Sequence, residues 1–484
     1  MHALRLPFVC DERGRTVPQA EVRRDGNRAR QRHDVGKGID DTERPRRDAE
    51  FFFELAEGGR SSVGVGGIDE AARKRDLAGI AAQMRGTPHE DDGRLVAHDD
   101  GNDDRSVEHV SYFLEGWGTT PQTSGIVRRS AYAFDVAAIV AAVIVRTVSP
   151  KPAWIERHYA NGAYPVIDRT VRAFTGALPF CLGDVLFIVA LAWLGRFWFV
   201  RLRAAAPRAR LGAGLRAALR TSAVLCLIFI WFMLSWAYNY GRVPLAEKIP
   251  VHDARTDENS VAAFGDRTTD RLSRLAPAAH RETASDAEVG RLLVPTFEAT
   301  IQRLGDRAAF APPRIKPTIF QPTLQLSATT GFTDPWTHEV NLDASLFPIE
   351  RPAVYAHEWA HVSGFADEAE ANFISVIACT TSHDPLLEYS GWLLVWENLP
   401  QDVHLTHRMG RMAYDDIMAI RARYRKNVNA QVEGASRVAY DRYLKSNRVK
   451  AGYASYRLFI RWMTGADFDR AGLPLVRPAG ASAN

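Results

Sequence analysis

Residues Val354 to Ala378 read VYAHEWAHVSGFADEAEANFISVIA, and the organisation of the chain follows from them. His357, Glu358 and His361 make an HExxH pattern. In an α-helix positions i and i+4 share a face, so both imidazoles can reach one metal ion and the carboxylate between them can reach a water beside it. Pro352 suits the first turn of a helix. Ala353, Val354, Tyr355, Ala356 and Ala360 give that helix an apolar body, and Gly364 can end it. The histidines sit among Ala, Val, Tyr and Trp, which predicts burial, and two buried histidines need partners. Zinc suits two imidazoles and one acid, and it leaves a fourth position for water.

The third ligand has three candidates. Asp367 lies six residues after His361 across Gly364, the metzincin spacing with Asp replacing His. Glu368 opens an ExxxN pattern that closes at Asn372. Glu370 is the remaining acid. In gluzincin peptidases the ligand Glu is followed four residues later by Asp or Asn, which hydrogen-bonds a ligand histidine. Glu368 with Asn372 resembles that arrangement and places both on one helical face. This ranks Glu368 first, Glu370 second and Asp367 third.

The chain has 484 residues, enough for two or more units. Its net charge of +4 gives no argument for nucleic acid. The mean hydropathy of −0.21 averages two unlike parts, a charged, Gly-rich first hundred residues and several almost wholly apolar later stretches. Cys10, Cys181, Cys226 and Cys379 have no spacing that suggests a disulfide framework or a Cys-based metal site, and they read as ordinary thiols.

Residues 1–126 carry little periodicity and few aliphatic side chains, so they are expected to be disordered, or to be an over-extended reading frame whose true start lies near Val127. No apolar stretch after Met1 resembles a secretory signal. Residues 127–241 are expected to hold three transmembrane helices, at about 132–148, 178–200 and 221–240. The last has twenty residues without a charge, enough to span a hydrocarbon core of about 30 Å. Trp231, Trp236, Tyr238 and Tyr240 suit an interfacial belt at its later end. Arg201, Arg203, Arg208, Arg210, Arg216 and Arg220 separate the second and third segments with no acid among them, which predicts a cytoplasmic loop. Arg128 and Arg129 share that side. Three crossings then place the remainder outside the cytoplasm of a bacterial inner membrane.

Residues 242–470 are expected to form the extracytoplasmic domain, and 471–484 a loose tail. Val294 to Leu304 reads as an amphipathic helix. Thr318 to Leu326 and Thr337 to Leu342 read as strands around Gly331-Phe332-Thr333-Asp334-Pro335. Thr337 to Asn341 is the candidate edge strand for an extended peptide held by main-chain hydrogen bonds. Helices are expected at Leu386–Trp396, Thr406–Tyr424, Gln431–Asn447 and Ser455–Met463.

The stretches PAWIERHYANGAYPVI, LPFCLGDVL, WAYNYGRVPLAE, HEWAHVSGFADEAEANF, YSGWL and AYDRYLKSN resemble a family of bacterial membrane proteins of unknown function. Its members combine amino-terminal membrane helices with an HExxH domain. The resemblance runs from about Ala131 to Met463 and is strongest around the metal motif. It implies a mainly α chain, in which transmembrane helices precede an α+β, gluzincin-like (zincin) domain with a small sheet before the HExxH helix. It also implies a membrane-anchored zinc peptidase, without implying a substrate, and it favours Glu368 and Glu370 over Asp367; peptide or protein of the cell envelope is the expected substrate class. Trp359 stands where Leu often follows His-Glu.

On this reading Glu358 is the general base and His357, His361 and Glu368 hold zinc, with Asn372 behind them and Glu370 as the alternative ligand. Tyr389, His383, His404 and His407 are candidates by type for stabilising an oxyanion. Two other readings compete. One is a non-catalytic membrane receptor or envelope assembly factor with a metal-stabilised domain. The other is a transporter using Asp135, Asp184 and Arg196.

Overall fold

A computed structural model describes residues 9–10, 16–17, 125–281, 284–306, 309–400, 403 and 408–477. Most of the stretch 1–126, with the expectations attached to it, lies outside these. Before the helix that begins at Gly125, its described part is a short antiparallel pair, β1 (Val9–Cys10) and β2 (Thr16–Val17).

Helix α1 (Gly125–Thr147) is followed by a helical run that Pro152 opens. The run passes through a wide π-helical stretch, Ile155–Ala163, into α2 (Tyr164–Gly176). Helices α3 (Leu182–Arg203) and α4 (Arg210–Ser235) are joined by a short turn at Pro207. The 22 residues of α3 extend about 33 Å, the thickness of a hydrocarbon core. Its Val185, Phe187, Ile188, Val189 and Leu191 face outward, an apolar surface that lipid accommodates and water does not. Residues Leu182–Arg203 and Pro207–Ser235 are each long and apolar enough to cross a membrane. Of the three expected spans, the first differs: α1 and the run after it are bent by 107° at their junction and pass the same test only as one broken span. The third is displaced, because its helix begins in the arginine-rich stretch and breaks at Trp236, leaving Tyr238 and Tyr240 in a tight turn, Ala237–Gly241.

The acids expected to be intramembrane charges have structural partners. Asp135 pairs with Arg220 at 3.0 Å, joining α1 to α4. Asp184 accepts from the Thr318 hydroxyl and the Ile319 N–H, both at 2.8 Å.

Beyond the turn, α5 (Glu258–Ala279) starts at Asp257 and α6 (Asp286–Arg303) at Ser285, each cap accepting a backbone N–H three residues on. Thr318 to Leu326, expected as a strand, contains α7 (Gln321–Leu326) instead. Pro322 lacks the N–H a ladder needs but fits the first turn of a helix. The sheet consists of β3 (Gly331–Thr333) and β4 (Val340–Leu342), antiparallel, with Phe332 opposite Asn341. Then follow α8 (Arg351–Val362), α9 (Glu368–Thr380), α10 (Pro385–Asn398), α11 (Arg411–Asn427), α12 (Ala430–Ser446) and α13 (Phe459–Gly465). The chain is thus mainly helical, with a small two-stranded sheet just before the HExxH helix. The core lies between α5, α6, α8, α9 and α10 around Leu272, Phe297, Trp359, Phe373 and Trp396. Past α13, Arg477 donates its N–H to the Lys248 carbonyl at 2.8 Å, so part of the expected loose tail is tied back.

The candidate edge strand needs correction. Thr337 to Asn341 is buried, and β4 is covered on its outer side by Ile315 and by Lys316, whose N–H reaches the Val340 carbonyl. The Asp334–Glu339 and Thr330–Asp343 hydrogen bonds fix the register, and alternation then turns the main-chain groups of Gly331 and Thr333 away from β4. Among the described residues, the edge of this sheet left without a main-chain partner therefore belongs to β3, although Gly331 and Thr333 are themselves buried.

Candidate metal centre

Helix α8 is held at both ends. At its start the Ser390 hydroxyl of α10 accepts the Ala353 N–H at 2.9 Å, satisfying one of the donors a helix leaves open. At its end Gly364 takes φ +83°, and the Phe365 N–H reaches back to the Ala360 carbonyl at 3.0 Å. Tyr164 and Asn239 crowd this glycine, at about 3.0 Å from where a Cβ would stand. Arg242 bonds the Gly364 carbonyl and lies over the Phe365 ring. Asp367 then caps α9 by accepting the N–H groups of Ala369 and Glu370. That turn brings Glu368 back beside the two histidines.

The Nε2 atoms of His357 and His361 are 3.1 Å apart, and Glu368 Oε2 lies 3.3 Å and 3.5 Å from them. Tetrahedral ligands about 2.0–2.1 Å from a zinc ion lie about 3.4 Å from one another, so the separations fit. The other ring nitrogens are engaged. His357 Nδ1 faces Asn372 Oδ1 at 2.8 Å, and Asn372 is oriented by donating its Nδ2 to the Tyr456 carbonyl. His361 Nδ1 faces the Phe365 carbonyl at 2.9 Å. With Nδ1 donating in each case, both Nε2 lone pairs face the Glu368 carboxylate, an arrangement that a cation between them stabilises. All three groups are buried, and the triad could hold a metal.

Of the rival acids, Glu370 turns away. Its Oε1 accepts the Leu245 N–H at 2.7 Å, and burial pushes its carboxyl up to about 8. Asp367 is occupied as the cap. The structure therefore brings Glu368 alone of the three to the histidines.

Glu358 lies beside the triad with no exposed surface. Its Oε2 accepts the Thr333 hydroxyl at 2.6 Å, while its Oε1 is buried and has no hydrogen-bond partner among the described residues. Burial pushes this carboxyl up to about 7, against the pull of His357 and the Thr333 hydrogen bond. Strand β3 covers it closely: a Cβ on Gly331 would stand 2.3 Å from Glu358 Oε1.

Sequence reasoning missed the tyrosines around Glu368. The Tyr440 hydroxyl donates to Glu368 Oε1, and the Tyr456 hydroxyl faces the same carboxylate. Burial holds both phenols protonated, with pKa values well above 10. Tyr240 and Tyr443, their hydroxyls 3.3 Å apart, stand behind them. The available signal was the i,i+3 spacing of Tyr440 with Tyr443 and of Tyr453 with Tyr456. The candidates chosen by type lie elsewhere: Tyr389 donates to Asp416, His383 is exposed beside Glu388, and His404 and His407 lie outside the described residues.

The membrane-proximal elements abut this centre. The Trp236 ring is 6.1 Å from that of His361, and the Tyr164 hydroxyl donates to the Val362 carbonyl at 2.9 Å. His338 lies between Asp168 and the Ser235 carbonyl, at 3.0 Å and 3.1 Å, tying the β3–β4 turn to α2 and to the end of α4.

No curated protein matches the chain, and no solved structure does. A family model does match, over residues 159–464, from the π-helical stretch after α1 to the end of α13. The chain belongs to that family, described as "Protein of unknown function (DUF3810)".

Proposed function

We propose that the chain is a membrane-anchored, zinc-dependent peptidase with a gluzincin-like catalytic domain, in which His357, His361 and Glu368 hold the metal and Glu358 is the general base. The observation that carries this reading is the pairing of a metal-compatible triad with an adjacent carboxylate oxygen, Glu358 Oε1, that is buried and has no partner among the described residues. A site whose only task is to hold a metal has no use for that oxygen, and leaving it unpaired is costly. A zinc ion bound by the triad supplies a Lewis acid that brings the pKa of a water to about 7.

The residues of this chain do the rest. Glu358 Oε1 takes a proton from the attacking water and passes it to the leaving nitrogen, while Thr333 holds Oε2 and so fixes the carboxylate plane. Asn372 and the Phe365 carbonyl keep the two imidazoles in the required tautomer. Tyr440 and Tyr456 hold Glu368 against the histidines. The unpaired edge of β3 offers the main-chain groups of Gly331 and Thr333 to an extended peptide next to Glu358. Because Glu358, His361 and Glu368 have no exposed surface, a peptide reaches them only when β3 or the Ala237–Gly241 turn moves.

The membrane assignment rests on the two apolar helices and on the arginines between them. The orientation proposed places α8 and α9 outside the cytoplasm of a bacterial inner membrane, where envelope peptides and proteins are the substrates. The test is proteomics of the cell envelope in strains carrying wild type or Glu358→Gln. Cleavage products that disappear in the variant support the peptidase. Identical products in both strains contradict it and favour a metal-stabilised assembly factor.

A further inference from the structure

A second polar site lies beside the first. A cavity of about 40 Å³ opens between α8, α10 and α11, with Thr330 and Val354 in its wall. Each of these leads directly to the catalytic carboxylate. Thr330 precedes Gly331, whose Cβ would touch Glu358, and Val354 lies one helical turn before Glu358 on the same face of α8. The cavity thus ends roughly one turn, about 5 Å, from the proposed base. It also lies alongside the start of β3, whose unpaired edge passes Glu358.

The charges in its wall are unbalanced. Arg423 spends its guanidinium on Glu350, in a two-pronged pair. Asp343 uses both oxygens locally, accepting from Gln325, from the Ser345 N–H and from the Ser345 hydroxyl. Glu397 is left. It is 8 % exposed, lines the cavity, and among the described residues has no hydrogen-bond partner. A carboxyl desolvated in this way calls for a donor, and burial together with the neighbouring Glu350 pushes it up to about 8 against the pull of Arg423, which is itself engaged by Glu350. A volume of about 40 Å³ holds roughly three waters, room for an ammonium and a methylene or two.

We propose that this cavity is a substrate subsite for a primary ammonium group, with Glu397 as its counter-ion. Its role in choosing peptides rests on the peptidase reading; its affinity for an ammonium does not. An ammonium placed there restores the missing charge partner and gives Glu397 its donor. A peptide along β3 can supply that group from its own amino terminus or from a lysine side chain.

The test is calorimetric titration of the full chain in detergent micelles with three probes. Nα-acetyl-L-lysinamide carries the side-chain ammonium, L-alaninamide carries the α-ammonium, and Nα-acetyl-L-norleucinamide is a neutral counterpart of the first. One of the two ammonium probes is expected to bind at least tenfold more tightly than the neutral one, and which of them does so identifies the source of the group. Glu397→Gln keeps the cavity's shape and should remove that preference. Equal affinity for charged and neutral probes, or an undiminished preference in Glu397→Gln, overturns the proposal. The probe comparison on wild type needs no variant to fold. Binding is read without turnover, so a chain that hydrolyses peptides yet does not discriminate these probes overturns this proposal alone.

Discussion

Gly331→Ala isolates the contact between β3 and the proposed base. The added methyl would stand 2.3 Å from Glu358 Oε1 and 2.9 Å from its Cδ and Cγ, distances that real contacts do not reach. Glu358 cannot yield easily, because Thr333 holds its other oxygen and the side chain is fully buried. Either β3 lifts or the carboxylate rotates, and overpacking of this kind costs about 1–3 kcal/mol. The backbone at Gly331 is not in the left-handed region, so alanine carries no conformational penalty of its own there. Glu358→Ala removes all three crowded atoms, and in that background Gly331→Ala should be neutral or slightly stabilising. The coupling energy of the double-mutant cycle is therefore about 1–3 kcal/mol, read as a difference in melting temperature of about 2–4 °C per kcal/mol. The metal content of Gly331→Ala should stay at the wild-type level, since no ligand is touched, while hydrolysis falls. Equal destabilisation in both backgrounds would refute the packing of β3 on Glu358.

Other expectations follow from the same contacts. Asn372→Ala removes the acceptor that orients His357 and should weaken metal affinity by about 10–100-fold, read by chelator competition. Asp367→Ala should keep its metal and lose about 0.5–2 kcal/mol of stability through the lost cap, seen in thermal melts; an emptied site would make Asp367 a ligand. For Glu156, burial raises the pKa, but Arg242 and Lys248 outweigh it and hold the carboxyl down to about 2, from 4.5. Its contribution to stability is thus complete above pH 4.5 and lost as pH falls toward about 2. Acid melts of Glu156→Gln should lack that part of the decline, and an unchanged acid profile would refute it. A reporter active only outside the cytoplasm should work when fused after Asn484 and be silent when fused near Ala206; the reverse would overturn the proposed orientation.

The helical face of His357, Glu358 and His361 was legible because a 3.6-residue period is a local property. The same reasoning singled out Glu368 with Asn372, and the structure brings both to His357. Sequence alone could not separate Glu368 from Glu370 and Asp367, because what removes the latter two is contextual. Glu370 is claimed by the Leu245 N–H, 125 residues away in the chain, and Asp367 by the first turn of its own helix. At Thr318–Leu326 the β-branched Thr318, Ile319 and Thr323 favour a strand, but Pro322 removes a ladder N–H and opens α7 instead. Thr337–Asn341 was placed at the sheet edge from its position before the HExxH helix, yet Glu339 is drawn inward by Lys316 and by the open N–H groups of Leu182 and Gly183 at the start of α3. Those donors meet Glu339 only once the start of α3 packs against the β3–β4 pair. The tyrosines at Glu368 were hidden for a similar reason, since they come from α12 and the turn after it, Tyr440 lying 72 residues beyond Glu368 and Tyr456 further still.

The central claim, that a triad holds a metal beside an uncommitted base, is tested most directly by metal content and peptide hydrolysis measured together on purified wild type, Glu358→Gln and His361→Ala. The account predicts about one zinc per chain in wild type and in Glu358→Gln, with hydrolysis lower by ~10²-fold or more in the latter. It predicts loss of both zinc and hydrolysis in His361→Ala, because two remaining protein ligands bind zinc poorly. Release of zinc by Glu358→Gln, or undiminished hydrolysis in either variant, would contradict it.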